Sequence, residues 1–110
     1  MAVRVTKNDF NEKVLLNKLP VVVDFYSDSC VACKKLAPVL GGLEDDYEGK
    51  LEVVKVNTNF DLELAEKYNV TANPTILLIN NGEEIDRRVG AASPKELYAW
   101  IDQNINNEEK

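Results

Sequence analysis

The sequence predicts an α/β fold, a mixed five-stranded sheet covered by helices on both faces, and three observations carry that expectation. Near-continuous apolar runs at residues 21–26, 51–56 and 75–79 suit strands buried on both sides. Stretches of helical spacing separate these runs, as in parallel strands joined by crossovers. Asn81-Gly82 then marks a two-residue hairpin, so the last strand must return antiparallel.

In chain order, residues 3–5 make a short strand. Thr6-Lys7-Asn8-Asp9 has the Thr-x-x-acid form of a capping box, opening a helix whose inward face is Phe10, Val14 and Leu15. Pro20 ends the connection to the strand Val21 to Tyr26. The helix from Cys30 carries Leu36, Leu40, Leu43 and Tyr47 as a core-facing stripe. Pro38 removes a donor inside it and Gly41-Gly42 weakens it, so a bend, or a split at the glycines, is expected. Leu51 to Val56 form the next strand and Asp61 to Tyr68 a short helix with Leu62, Leu64 and Ala65. Asn69 to Pro74 break the pattern before the strand Thr75 to Ile79, and Glu83 to Val89 return after the hairpin. Ser93-Pro94-Lys95-Glu96 is a capping box with proline at the first helical position, followed by Leu97, Trp100, Ile101 and Ile105 facing inward. The tail Asn106 to Lys110 is expected to fray. The order is β-α-β-α-β-α-β-β-α, with an early parallel part and a late antiparallel hairpin.

A chain of 110 residues suits one domain, 1–110, which buries about two-thirds of its unfolded surface without needing a covalent staple. Thirteen basic against nineteen acidic residues give a net charge of −6 and a pI near 4.6, which argues against nucleic acid as a partner. Residues 1–7 have no apolar leader segment, and no stretch approaches the length that spans a bilayer. The expected setting is the cytoplasm, away from membranes, as a monomer.

The chemistry centres on Ser29-Cys30-Val31-Ala32-Cys33-Lys34, which holds the only two cysteines and follows directly on a strand. Two thiols separated by two residues at a strand-to-helix junction can close a disulfide across one turn. At the helix N-terminus, unpaired N–H groups and the macrodipole favour the thiolate of Cys30 over the thiol. Cys33 lies on the same face one turn deeper, placed to resolve a mixed disulfide. A competing reading is half of a structural zinc site, although the chain has no histidine and no third cysteine to complete it. Asp24 sits among apolar strand residues, where a carboxylate is costly unless paired or protonated, and Lys55 interrupts Val53-Val54-Lys55-Val56 in the same way. Each has a plain alternative, a satisfied structural carboxylate for Asp24 and a lysine reaching out to solvent for Lys55. Tyr26 and Trp100 read as packing residues.

With Asp24, Cys30 and Cys33, Pro38, Lys55, Asn73-Pro74, Asn81-Gly82 and Val89-Gly90 in this order, the chain resembles the thioredoxins from about Val5 to Ile105. The resemblance implies the thioredoxin fold and a protein-disulfide reductase that binds no cofactor. Cys30 would attack and Cys33 resolve. Asp24 would be the buried carboxylate that takes the Cys33 proton, and Lys55 its partner on the next strand. Pro74 would be a cis-proline facing the disulfide, leaving the backbone of Asn73 to pair with an extended substrate, while Gly90 would belong to the same groove. The implied partners are a thioredoxin reductase, NADPH-linked, and proteins carrying disulfides. The motif departs from the usual Trp-Cys-Gly-Pro-Cys. Ser29 replaces the tryptophan, and Val31-Ala32 replace the pair that tunes the reduction potential. Ser29, Val31 and Ala32 therefore join Asn73, Pro74 and Gly90 as the expected substrate contacts. The other functions weighed are a specialised oxidoreductase or isomerase serving a dedicated partner, and a scaffold that docks without electron transfer.

Overall fold

The computed structural model describes the backbone of residues 2–108 and the side chains of residues 2–105. Strands β1 (Val3–Arg4), β2 (Val21–Tyr26), β3 (Glu52–Asn57), β4 (Thr75–Asn80) and β5 (Glu83–Val89) form one sheet in the order β1-β3-β2-β4-β5. The expected mixture is present: β3 pairs parallel with β1 and β2, and β4 pairs antiparallel with β2 and β5.

Alternation along the strands sorts the apolar residues into two cores. Val21, Val23 and Phe25 face Phe10 and Val14 on one side, together with Leu64 and Ala65 of α2 (Leu62–Lys67). Val22 and Ile76 face Leu36, Leu40 and Leu43 of α1 (Val31–Asp46) on the other, with Leu97, Trp100, Ile101 and Ile105 of α3 (Pro94–Glu108). Leu62 is turned outward and is 59% exposed.

Two elements, the first helix and the end of α3, differ from the sequence expectation. The first helix is a π-helical turn, Asn11–Leu15, in which the Leu16 N–H reaches the Asn11 carbonyl at 2.9 Å. Half of its capping box survives: the Thr6 N–H donates to Asp9 Oδ1 at 2.6 Å. The wider turn seats Phe10 and Val14 on the sheet and leaves Leu16 exposed. Helix α1 is not split; it runs unbroken through Pro38, Gly41 and Gly42. A Cβ on Gly42 would meet Tyr98 Oη at 3.3 Å, so the glycine lets α3 approach α1. Nearby, Tyr98 Oη donates to Asp46 and Tyr47 Oη to Asp102, joining the two helices. Asn106 to Glu108, expected as frayed tail, continue α3, and residues 109 and 110 lie outside the described residues.

The hairpin forms at Asn81 and Gly82, both at positive φ as its tight turn requires. Beyond it, Leu78 opposes Asp86 while Ile79 opposes Glu84, so Ile85 is the extra residue of a bulge. The indole N–H of Trp100 donates to Asp86 Oδ2 at 2.7 Å and ties α3 to this edge strand. Among the described residues, no helix is long and apolar enough to cross a membrane.

Candidate active site

The site lies at the end of the sheet where β2 stops and α1 begins. Ser27 to Ser29 turn the chain, with the Cys30 N–H donating to the Ser27 carbonyl at 3.3 Å, and Cys30 becomes the N-cap of α1. Its extended backbone aims the sulfur back over the first turn, where the Cys33 N–H donates to Cys30 Sγ at 3.1 Å. One of the helix's orphan donors is thus spent on the sulfur that would carry charge after reduction. Cys30 and Cys33 are joined as a disulfide, with Cα atoms 5.2 Å apart. Cys30 is half-buried at the rim, whereas Cys33 is only 5% exposed. Of the motif's neighbours, Ser29 and Val31 are exposed and Ala32 is half-buried.

Asp24, buried in β2, lies opposite Lys55 on β3. Among the described residues nothing donates to the buried Oδ1 of Asp24. Burial pushes its pKa up to about 7, and the Lys55 charge pulls the other way. Lys55 is half-buried, its ammonium 5.6 Å from the centroid of the Tyr26 ring. Asp24, Lys55, Tyr26 and Cys33 line a single pocket of about 200 Å³, whose remaining walls are Ser27, Asp28, Lys34 and Ala37. The buried carboxylate and the buried cysteine therefore open onto the same space.

A second loop reaches this end of the sheet ahead of β4. The Asn73-Pro74 peptide is cis, and the Gly90 N–H donates to the Pro74 carbonyl at 2.8 Å, which joins the two expected groove positions. Asn73 is exposed, and its amide donates to Thr58 Oγ1 at 3.2 Å. Thr58 in turn binds the Tyr26 carbonyl, at 2.9 Å through its N–H and 3.0 Å through its hydroxyl. The residues 57–59 were not singled out from sequence. Asn57, only 2% exposed, donates to Asp28 Oδ2 at 3.3 Å, and the Asp28 N–H donates to Asn59 Oδ1 at 3.4 Å. A polar run Asn57-Thr58-Asn59 directly after an apolar strand was the available signal. Tyr26, expected only to pack, also forms a wall of the pocket.

Among the described residues, no group of three or more histidine, cysteine or carboxylate side chains is placed to hold a metal. What remains is a disulfide at a helix N-terminus, rim-side at one sulfur and buried at the other, above a buried acid. The Thioredoxin family model matches residues 1–103 of the chain. The chain belongs to the thioredoxin family. It is 39% identical over 105 residues to the thioredoxin of Rickettsia bellii, covering 96% of this chain and all of that relative. Thioredoxin C-2 of Corynebacterium nephridii is 42% identical and the thioredoxin of Pseudomonas aeruginosa 40%, each covering 94% of this chain and 95% of the relative. Like other thioredoxins it is a thiol-disulfide oxidoreductase whose electrons reside in the cysteine pair, with no prosthetic group required. A reductase and disulfide-bearing substrates are the partners this chemistry demands.

Proposed function

We propose that Cys30 is the attacking residue and Cys33 the resolving one in the reduction of protein disulfides. The observation that carries this assignment is the asymmetry of the pair: Cys30 Sγ lies at the rim and accepts the Cys33 N–H, while Cys33 is buried beside Asp24. In the reduced protein the Cys30 thiolate attacks one sulfur of a substrate disulfide, forming a Cys30–substrate bond and expelling the other substrate sulfur as a thiolate. Asp24 takes the proton of the Cys33 thiol. The Cys33 thiolate then attacks Cys30 Sγ, closing the Cys30–Cys33 bond and releasing the second substrate thiolate. Two electrons have passed to the substrate, and an NADPH-linked thioredoxin reductase returns them. The Lys55 charge tempers how tightly Asp24 holds its proton.

In this reading the substrate lies as an extended segment against Ser29, Val31, Ala32, Asn73, Pro74 and Gly90; the hydrogen bond from the Gly90 N–H to the Pro74 carbonyl supports the pairing of the last two. The protein works as a monomeric single domain in the cytoplasm, where thiols are kept reduced and a cysteine pair can cycle. Equilibration in redox buffers tests the reductase assignment. A potential near −270 mV, the value known for thioredoxins, is expected, whereas one near −180 mV would make the protein an isomerase. Partner binding undiminished when both cysteines are serine, with no electron transfer in the natural protein, would make it a scaffold.

A further inference from the structure

We propose that Tyr26 is a positioning residue for the proton step: its ring holds the Lys55 ammonium in the pocket wall, where that charge acts on Asp24. The inference rests on the assignment of Asp24 as the proton acceptor, and concerns what fixes the strength of that acid.

One row of the sheet collects the charges on the α1 and α3 side: Arg4 of β1, Lys55 of β3, Asp24 of β2 and Arg88 of β5, with Ile76 between the last two. Arg4 is turned away, its guanidinium 4.7 Å from the Phe60 ring centroid. Arg88 is turned away as well, 3.4 Å from Glu96. From α1, Cys33 and the exposed Lys34 face the pocket, and from the β2–α1 turn Asp28, which Asn57 already holds. Lys55 is thus the cation that sits beside Asp24 on the neighbouring strand, and its head lies over the Tyr26 ring face.

The ring is itself anchored. Thr58 grips the Tyr26 carbonyl, and Asn57 donates to Tyr26 Oη at 3.5 Å. A lysine on a four-carbon stem extends into water when nothing detains it. A ring face offers the detaining attraction without neutralising the charge. With the ring removed the ammonium moves outward, its field at Asp24 falls with distance and with the higher dielectric, and Asp24 keeps its proton to higher pH. The carboxylate would then take the Cys33 proton less readily at neutral pH.

The test follows the Asp24 carboxyl carbon by NMR titration of the oxidised protein. Tyr26→Phe, which keeps the ring face but loses the Asn57 contact to Oη, should move the midpoint less than removal of the ring does. Tyr26→Leu should raise it by roughly half a pH unit, the effect of weakening one nearby charge. Lys55→Met should raise it at least as far, and adding Tyr26→Leu to Lys55→Met should move it no further. Tyr26→Met carries the same expectation should the leucine variant fold poorly. An unmoved midpoint without the ring, or an equal shift in the Lys55→Met background, would overturn the proposal. The role of Asp24 itself is read separately, from the rate at which an Asp24→Asn variant resolves a preformed Cys30 mixed disulfide. An unchanged rate there would remove the proton role while leaving the titration result to stand.

Discussion

A Cys30→Ser variant is expected to lose reduction of an insulin-type disulfide by at least about a thousandfold, corresponding to about 4 kcal/mol of transition-state stabilisation. The reason is covalent. A hydroxyl in place of Sγ cannot form the mixed disulfide, and the donor at Cys33 N then addresses an atom that does not ionise at neutral pH. Cys33→Ser should fail differently. Its Cys30 thiolate still attacks, so the variant accumulates a mixed disulfide that mass spectrometry detects, but turnover stops for want of the second sulfur. Substantial turnover by Cys30→Ser would end the assignment of roles.

Removing the charge of Asp24 is expected to stabilise the protein increasingly as pH rises above about 4, and most at neutral and alkaline pH. The carboxyl pKa is about 7 in the fold against 3.8 for the ordinary group, because burial disfavours the charged form. Between those values the folded chain binds more protons than the unfolded one, so stability is highest below about pH 4 and falls as pH rises towards 7. Above that the loss is complete. At ~1.4 kcal/mol per pH unit over about three units, the cost reaches up to about 4 kcal/mol. Asp24→Asn should therefore unfold at higher denaturant concentration than the natural sequence at pH 8, with an unchanged slope, and the two should converge near pH 4. A difference independent of pH would contradict the burial of an ionised Asp24.

The fold was legible because local signals and global pattern agree along most of the chain. The apolar strands, the Asn81-Gly82 turn and the Ser93 to Glu96 capping box each form where their chemistry places them. The misses depend on contacts remote in sequence. The Thr6–Asp9 box announced a helix, but seating Phe10 and Val14 on the sheet accompanies a π turn. Gly41-Gly42 looks like a break until Tyr98, 56 residues beyond Gly42, fills the space beside it. The extra Ile85 is invisible without the register of β4 against β5.

At the site, the sequence pointed to Cys30 and Cys33 by their spacing, and to Asp24 and Lys55 because each interrupts an apolar strand. The pocket that connects them was not legible. Its walls come from β2, the turn after it, α1 and β3, and no linear pattern announces their meeting. Asn57 reads in sequence as an ordinary turn residue, and it does accept the Asn59 N–H at 2.9 Å, yet its amide also steadies Asp28 and Tyr26.

The most direct test is to alkylate the fully reduced protein with iodoacetamide across a range of pH and read each cysteine by mass spectrometry. Cys30 should react first, with a midpoint well below the value of about 8.5 for a free thiol, while Cys33 stays protected until the fold opens. Equal labelling of the two, or Cys30 reacting only as an unperturbed thiol does, would contradict a thiolate held ready at the rim of α1.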